Sequence, residues 1–149
     1  MRALRQTGGI ALIAVVMSMA MLCAGCSSPS ASRPPGTDVP VTLRDFRIAV
    51  SNRPVATGEI SLDINNRGPS THEFLIVRTS LGSSDLPLGQ DGLTVDEESP
   101  LLHFVKEDSD LDVGDTRVMQ VHLRPGSYVL YCNLEGHYLG GMHASLVVR

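Results

Sequence analysis

The chain has 149 residues, 12 basic and 16 acidic side chains, a formal charge of −4 and three cysteines. That length suits one modest domain. The acidic balance, without a stripe of lysine and arginine, excludes the phosphate-neutralising surface that nucleic-acid binding requires.

The N-terminus reads Met1, Arg2, Ala3, Leu4, Arg5, then an apolar run from Ile10 to Leu22 broken only by Ser18. Two arginines ahead of so short a run predict a secretion signal, because a spanning helix needs about 18 or more apolar residues. The segment Leu22-Cys23-Ala24-Gly25-Cys26 resembles a bacterial lipoprotein box, departing from it at Cys23, where leucine is usual. The resemblance implies a signal peptide over residues 1–25, lipid on Cys26, and an extracytoplasmic protein anchored to the bacterial membrane. Residues 26–38 then form a flexible tether, since Ser27 to Pro40 holds four prolines and four serines with little apolar content. Loss of Arg2 and Arg5 leaves 10 basic against 16 acidic residues, a charge of about −6. Cys132 is left as the lone free thiol, and a lone thiol in an oxidising compartment needs protection or a role.

From 39 to 149 the pattern is one of strands. Val41 and Leu43, then Phe46, Ile48 and Val50, recur at two-residue intervals, with the phase broken at Arg44-Asp45 as at a bulge or bend. A second strand over 59–65 turns Ile60, Leu62 and Ile64 inward and Ser61 and Asp63 outward, and Asn66-Arg67-Gly68-Pro69 closes it. The third, His72 to Val77, has the continuous apolar centre of a strand covered on both faces. Residues 79–112 are irregular and acidic. They read as an excursion off the sheets, solvated and with a short helix around Pro100 to Glu107; Asp91 to Asp96 lacks the ligand pattern of a calcium loop. Strands at 117–123, 126–132 and 143–148 follow, separated by turns. Short strands without long helical periods predict an all-β antiparallel sandwich.

The chemistry concentrates in Tyr128-Val129-Leu130-Tyr131-Cys132-Asn133-Leu134-Glu135-Gly136-His137-Tyr138-Leu139-Gly140-Gly141-Met142-His143. A strand delivers Cys132 to one end of the sandwich, and the loop after it returns with His137 and Met142. Thiolate and thioether sulfur suit Cu(I), while imidazole accepts either oxidation state. Two histidines, one cysteine and a distant methionine make the trigonal electron-transfer site. The second histidine is His72, whose strand starts just after a turn and can face the Cys132 loop. Each residue also has a plainer reading: Cys132 as an inert buried thiol, His137 as a loop histidine, Met142 as core, His72 as a strand-end histidine. His143 is a possible substitute donor, but its side chain should point away if that of Met142 points in. His103 and His122 have no matching donors nearby and read as surface or structural.

The set Cys-x4-His-x4-Met at 132, 137 and 142, with His72 upstream, resembles the cupredoxin, or blue copper, family. Its spacing is similar to that of sulfocyanin- and rusticyanin-like members. The resemblance implies a Greek-key β-sandwich of seven or eight strands over 39–149, holding one type 1 copper ion near one end. His72, Cys132 and His137 would form the plane and Met142 the weak axial ligand. It also implies one-electron shuttling between redox proteins of the cell envelope, so that the protein is not an enzyme and turns over no small-molecule substrate. Glu73 departs from the pattern, because Asn, Asp or Ser commonly follows the first histidine and ties the two ligand loops together. The short side chains around His137 predict an apolar docking patch made partly by Tyr138 and Leu139.

Two other functions compete with the electron carrier. A copper delivery or storage module would use the same four residues around a labile, exposed ion, and an interaction domain would hold no metal. A single cysteine-centred site with no second histidine cluster speaks against a multicopper enzyme.

Overall fold

The structure, a computed structural model, describes residues 37–149. The predicted signal peptide (1–25), Cys26 and nearly all of the tether (26–38) lie outside the described residues. Strand β1, Thr37–Arg44, already contains the last two residues assigned to the tether.

Eight strands follow one another: β1 Thr37–Arg44, β2 Arg47–Val50, β3 Gly58–Asn66, β4 His72–Arg78, β5 His103–Leu111, β6 Thr116–Leu123, β7 Gly126–Tyr131 and β8 His143–Val148. They make two four-stranded sheets with orders β2-β1-β3-β6 and β5-β4-β7-β8. All pairings are antiparallel except β1 with β3, whose parallel register runs from Thr37↔Ile60 to Leu43↔Asn66. The sandwich is therefore mixed rather than wholly antiparallel.

Alternation along the strands sorts side chains into two buried clusters. Ile60, Leu62 and Ile64 point between the sheets as their spacing predicts, together with Val39, Val41 and Leu43. Phe74 and Ile76 of β4 and Tyr128 and Leu130 of β7 join them, as does Cys132 just past β7. The alternate residues Leu75, Val77, Val129 and Tyr131 face the other way, into a second cluster with Leu86, Val95 and Leu102. β4 is thus covered on both faces, as its uninterrupted apolar centre predicts. The covering layer is the 79–102 segment, so this excursion is not a solvated loop throughout. Burial of Leu86, Val95 and Leu102 contributes on the order of 1.5–3 kcal/mol each.

Four further points refine or correct the expected pattern. The break at Arg44-Asp45, expected as a bulge or bend, is the bend: a two-residue hairpin turn in which Arg44 pairs with Arg47, leaving Asp45 and Phe46 as the tip. Phe46 takes φ 61° and is exposed, although its spacing mimics an inward strand position. The short helix around Pro100–Glu107 is absent; β5 occupies most of that span as an edge strand on β4, and the described residues contain no helix. Its polar sequence carries no alternation because only one edge is paired and most of its side chains are exposed. Ser61, expected outward, is buried.

Candidate metal centre

The ends of four chain segments meet at one end of the sandwich. β4 runs antiparallel to β7, with Leu75 opposite Tyr131, so the start of β4 lies beside the end of β7. Tyr131 in turn pairs with His143, which brings in the loop ahead of β8. The parallel β1–β3 register puts the Asp45-Phe46 tip near the Asn66–Thr71 turn that feeds His72.

One ligand atom each from His72, Cys132 and His137 lie within 4.8 Å of one another. Cys132 Sγ is 3.5 Å from His137 Nδ1, and the backbone N–H of Glu73 points to the same sulfur at 3.4 Å. The His72 and His137 rings stand 5.3 Å apart between centroids. His72 and Cys132 are fully buried, while His137 is partly exposed, so the one route from this cluster to solvent that its members offer is through the His137 ring.

His72 Nδ1 is buried with no hydrogen-bond partner. Its other nitrogen, Nε2, lies 3.2 Å from Asp45 Oδ1, too obliquely for an aligned hydrogen bond. An orphaned imidazole nitrogen beside a buried thiol is costly unless something fills the gap. Burial pushes the His72 pKa below its usual value, with Asp45 acting in the opposite direction, so the imidazole is neutral and free to donate. Burial pushes the Cys132 thiol up, against backbone N–H groups of Leu134 and Glu73, so the sulfur keeps its proton until a cation displaces it. Two nitrogens and a sulfur, soft and borderline donors with one orphaned lone pair, fit a copper ion.

The loop from Leu134 to Met142 folds on itself: Leu134 O accepts from His137 N, Gly136 O from Gly140 N, and His137 O from Met142 N. Met142 O then accepts from Cys132 N at 3.1 Å. These bonds hold Cys132, His137 and Met142 in one unit, and the Met142 side chain is buried in the same cluster as Cys132. Gly140 is needed because a Cβ there would strike the Phe46 ring.

Other assigned residues sit differently from expectation. Tyr138 is buried, accepting from Leu86 N and donating to Ser83 O through its hydroxyl, and so cannot line a docking surface. Leu139 is exposed, and beside the partly exposed His137 stands Phe46, with ring centroids 5.4 Å apart. Glu73 contributes its backbone N–H to Cys132; no hydrogen bond to its carboxylate is seen among the described residues, and burial with Glu107, Glu97 and Asp110 nearby raises its pKa. Glu73 is thus a departure in its side chain, and two asparagines brace the ligand segments. Asn66 donates to Ser70 O and Leu111 O and accepts from Gly68 N, fixing the turn before His72. Asn133 accepts from Val95 N and donates to Val95 O and Glu97 Oε1, tying the Cys132 loop to the covering segment. Its place directly after the cysteine is the one signal that could have marked it. His103 and His122 are exposed, His122 pairing with Glu59. His143 lies against Tyr138, outside the His72–Cys132–His137 group.

No protein-family model and no curated protein sequence matches the chain. Solved structures do. Reduced auracyanin from Roseiflexus castenholzii superposes with a TM-score of 0.59 at 20% identity, over 76% of this chain and 98% of that one. The chain has the cupredoxin fold. Rusticyanin from Thiobacillus ferrooxidans gives 0.53 at 17% identity, over 77% of this chain and 79% of its own. Auracyanin A from Chloroflexus aurantiacus, described as a "blue" copper protein, gives 0.51 at 18% over 74% and 99%. Within the cupredoxin fold, the His72–Cys132–His137 group sits where β4, β7 and the loop before β8 converge.

Proposed function

We propose that this protein is a type 1 copper protein that carries single electrons between redox proteins of the cell envelope. The reading rests chiefly on one observation: His72, Cys132 and His137 bring their donor atoms within 4.8 Å of one another, with His72 Nδ1 buried and otherwise unpartnered. A copper ion held there would supply a Cu(II)/Cu(I) couple. His72 and His137 would give imidazole nitrogens, Cys132 a thiolate, and Met142 a weaker thioether contact. The hydrogen-bonded loop from Leu134 to Met142 and the buried Asn66 turn hold these groups in one arrangement, so a change of metal charge meets little protein reorganisation. The Glu73 N–H points at Cys132 Sγ and would offset part of the negative charge of a metal-bound thiolate.

Full burial of His72 and Cys132 favours a carrier over a delivery or storage protein, whose ion must leave readily. His137 is the partly exposed edge, and Phe46 and Leu139 give its surroundings an apolar character suited to a transient protein partner. The lipid on Cys26 and the prolyl tether would keep the domain at the outer side of a bacterial membrane; the sequence around Leu22–Cys26 supports this. Stopped-flow electron exchange, compared with copper loss to a chelator, tests the carrier reading. Exchange far faster than copper loss is expected; copper loss as fast as electron exchange would point to delivery instead.

A further inference from the structure

We propose that Asp45 is a positioning residue of this copper site, fixing the His72 ring and biasing the metal toward its oxidised state. The proposal rests on the copper reading above. Asp45 belongs to the sheet opposite His72, at the tip of the β1–β2 hairpin, and its carboxylate is three-quarters buried at the side chain. Oδ1 lies 3.2 Å from His72 Nε2 and accepts from Ser70 N at 3.3 Å, while Oδ2 accepts from Ser70 Oγ at 3.0 Å. The carboxylate is thus held from the turn that delivers His72 rather than left to sample solvent.

Gly68 makes the approach possible. A Cβ there would come within 2.7 Å of His72 Nε2 and 2.9 Å of Asp45 Oδ1. The buried Asn66 side chain, accepting from Gly68 N, keeps the glycine in that place. Three neighbouring features, the glycine, the Ser70 donors and the asparagine brace, therefore converge on a carboxylate against the outer nitrogen of a buried imidazole.

The physical consequence follows from charge. If Nδ1 faces the ion, Nε2 carries the ring proton and a carboxylate beside it makes the imidazole a stronger donor. The contact is oblique, so its effect is chiefly that of a nearby negative charge, little screened because both groups are mostly buried. Such a charge favours a dication over a monocation. Asp45 therefore lowers the reduction potential and strengthens Cu(II) binding relative to Cu(I).

The test is spectroelectrochemical titration of the full copper-loaded protein alongside Asp45→Asn and Asp45→Ala. Asp45→Asn keeps the shape and removes the charge; its Cu(II) preference should fall about tenfold, a potential rise of about 59 mV, with the charge-transfer band in place. Asp45→Ala should shift the potential in the same direction, and in NMR of the Cu(I) form its His72 Nε2–H should exchange with solvent faster than in the wild type. An unchanged potential in both variants, with the band intact, would overturn the role of Asp45 while leaving the copper site standing. A wild type holding a full equivalent of Cu(II) without the charge-transfer band would remove the copper reading and this proposal together. Failure of both variants to fold, judged by circular dichroism, would assign Asp45 to the hairpin turn alone and overturn the proposal too.

Discussion

The Phe46 ring stands edge-on to His137, with centroids 5.4 Å apart and planes at 64°, so a hairpin tip from one sheet shields a ligand loop of the other. Phe46 and Leu139 are both about half exposed, beside the partly exposed histidine. A charge on either residue should weaken docking of a redox partner without altering the site. Phe46→Asp and Leu139→Lys are each expected to lower the second-order electron-transfer rate with a protein partner about tenfold, equivalent to ~1.4 kcal/mol of docking free energy. Their absorption spectra should match the wild type. Unchanged rates in both variants would place the docking surface elsewhere.

The hydroxyl of Tyr138 has a structural task. It accepts from Leu86 N at 2.9 Å and donates to Ser83 O at 3.0 Å, which fastens the covering segment to the ligand loop. Tyr138→Phe leaves the Leu86 N–H buried without its partner and should cost on the order of 1–3 kcal/mol in chemical denaturation. Electron exchange by the folded variant should change little. A stability equal to that of the wild type would show that the Tyr138 hydroxyl adds nothing to the Asn133 hydrogen bonds and apolar contacts that hold the 79–102 layer.

Much of this architecture is legible in the sequence, and the exceptions share a cause. Ile60, Leu62 and Ile64 announce an inward face by their spacing, and β4 announces burial on both faces by its unbroken apolar centre, because in each case the local pattern and the tertiary environment agree. The Cys132–His137–Met142 loop is legible because its donors are close in sequence. Phe46 misleads: it keeps the two-residue spacing while sitting at a turn with positive φ, where the left-handed backbone rather than polarity sets the conformation. β5 is hidden because its backbone partner, β4, supplies the order that its side chains do not. Its Glu107, Asp108 and Asp110 suit an unpaired edge and blunt it against further strand pairing. Asp45, Asn66 and Asn133 act across 27, 45 and 38 residues, respectively, on His72, Leu111 and Val95, and no local spacing reports such pairings.

Met142 offers a graded probe of the site. Its backbone closes the ligand loop through Cys132 N and His137 O, while the side chain is fully buried. Met142→Leu retains volume and removes the thioether, so the fold and colour should persist. The potential should rise on a scale of about 59 mV for each tenfold loss of Cu(II) preference, since the axial sulfur stabilises Cu(II) modestly. A potential unmoved by the substitution would mean that the thioether does not reach the ion.

Whether His72, Cys132 and His137 jointly hold copper is decided by adding Cu(II) to the purified protein and recording its visible absorption. An intense band at about 600 nm from sulfur-to-copper charge transfer is expected, saturating at one equivalent and abolished by Cys132→Ser. A folded protein carrying a full equivalent of Cu(II) without that band would contradict it.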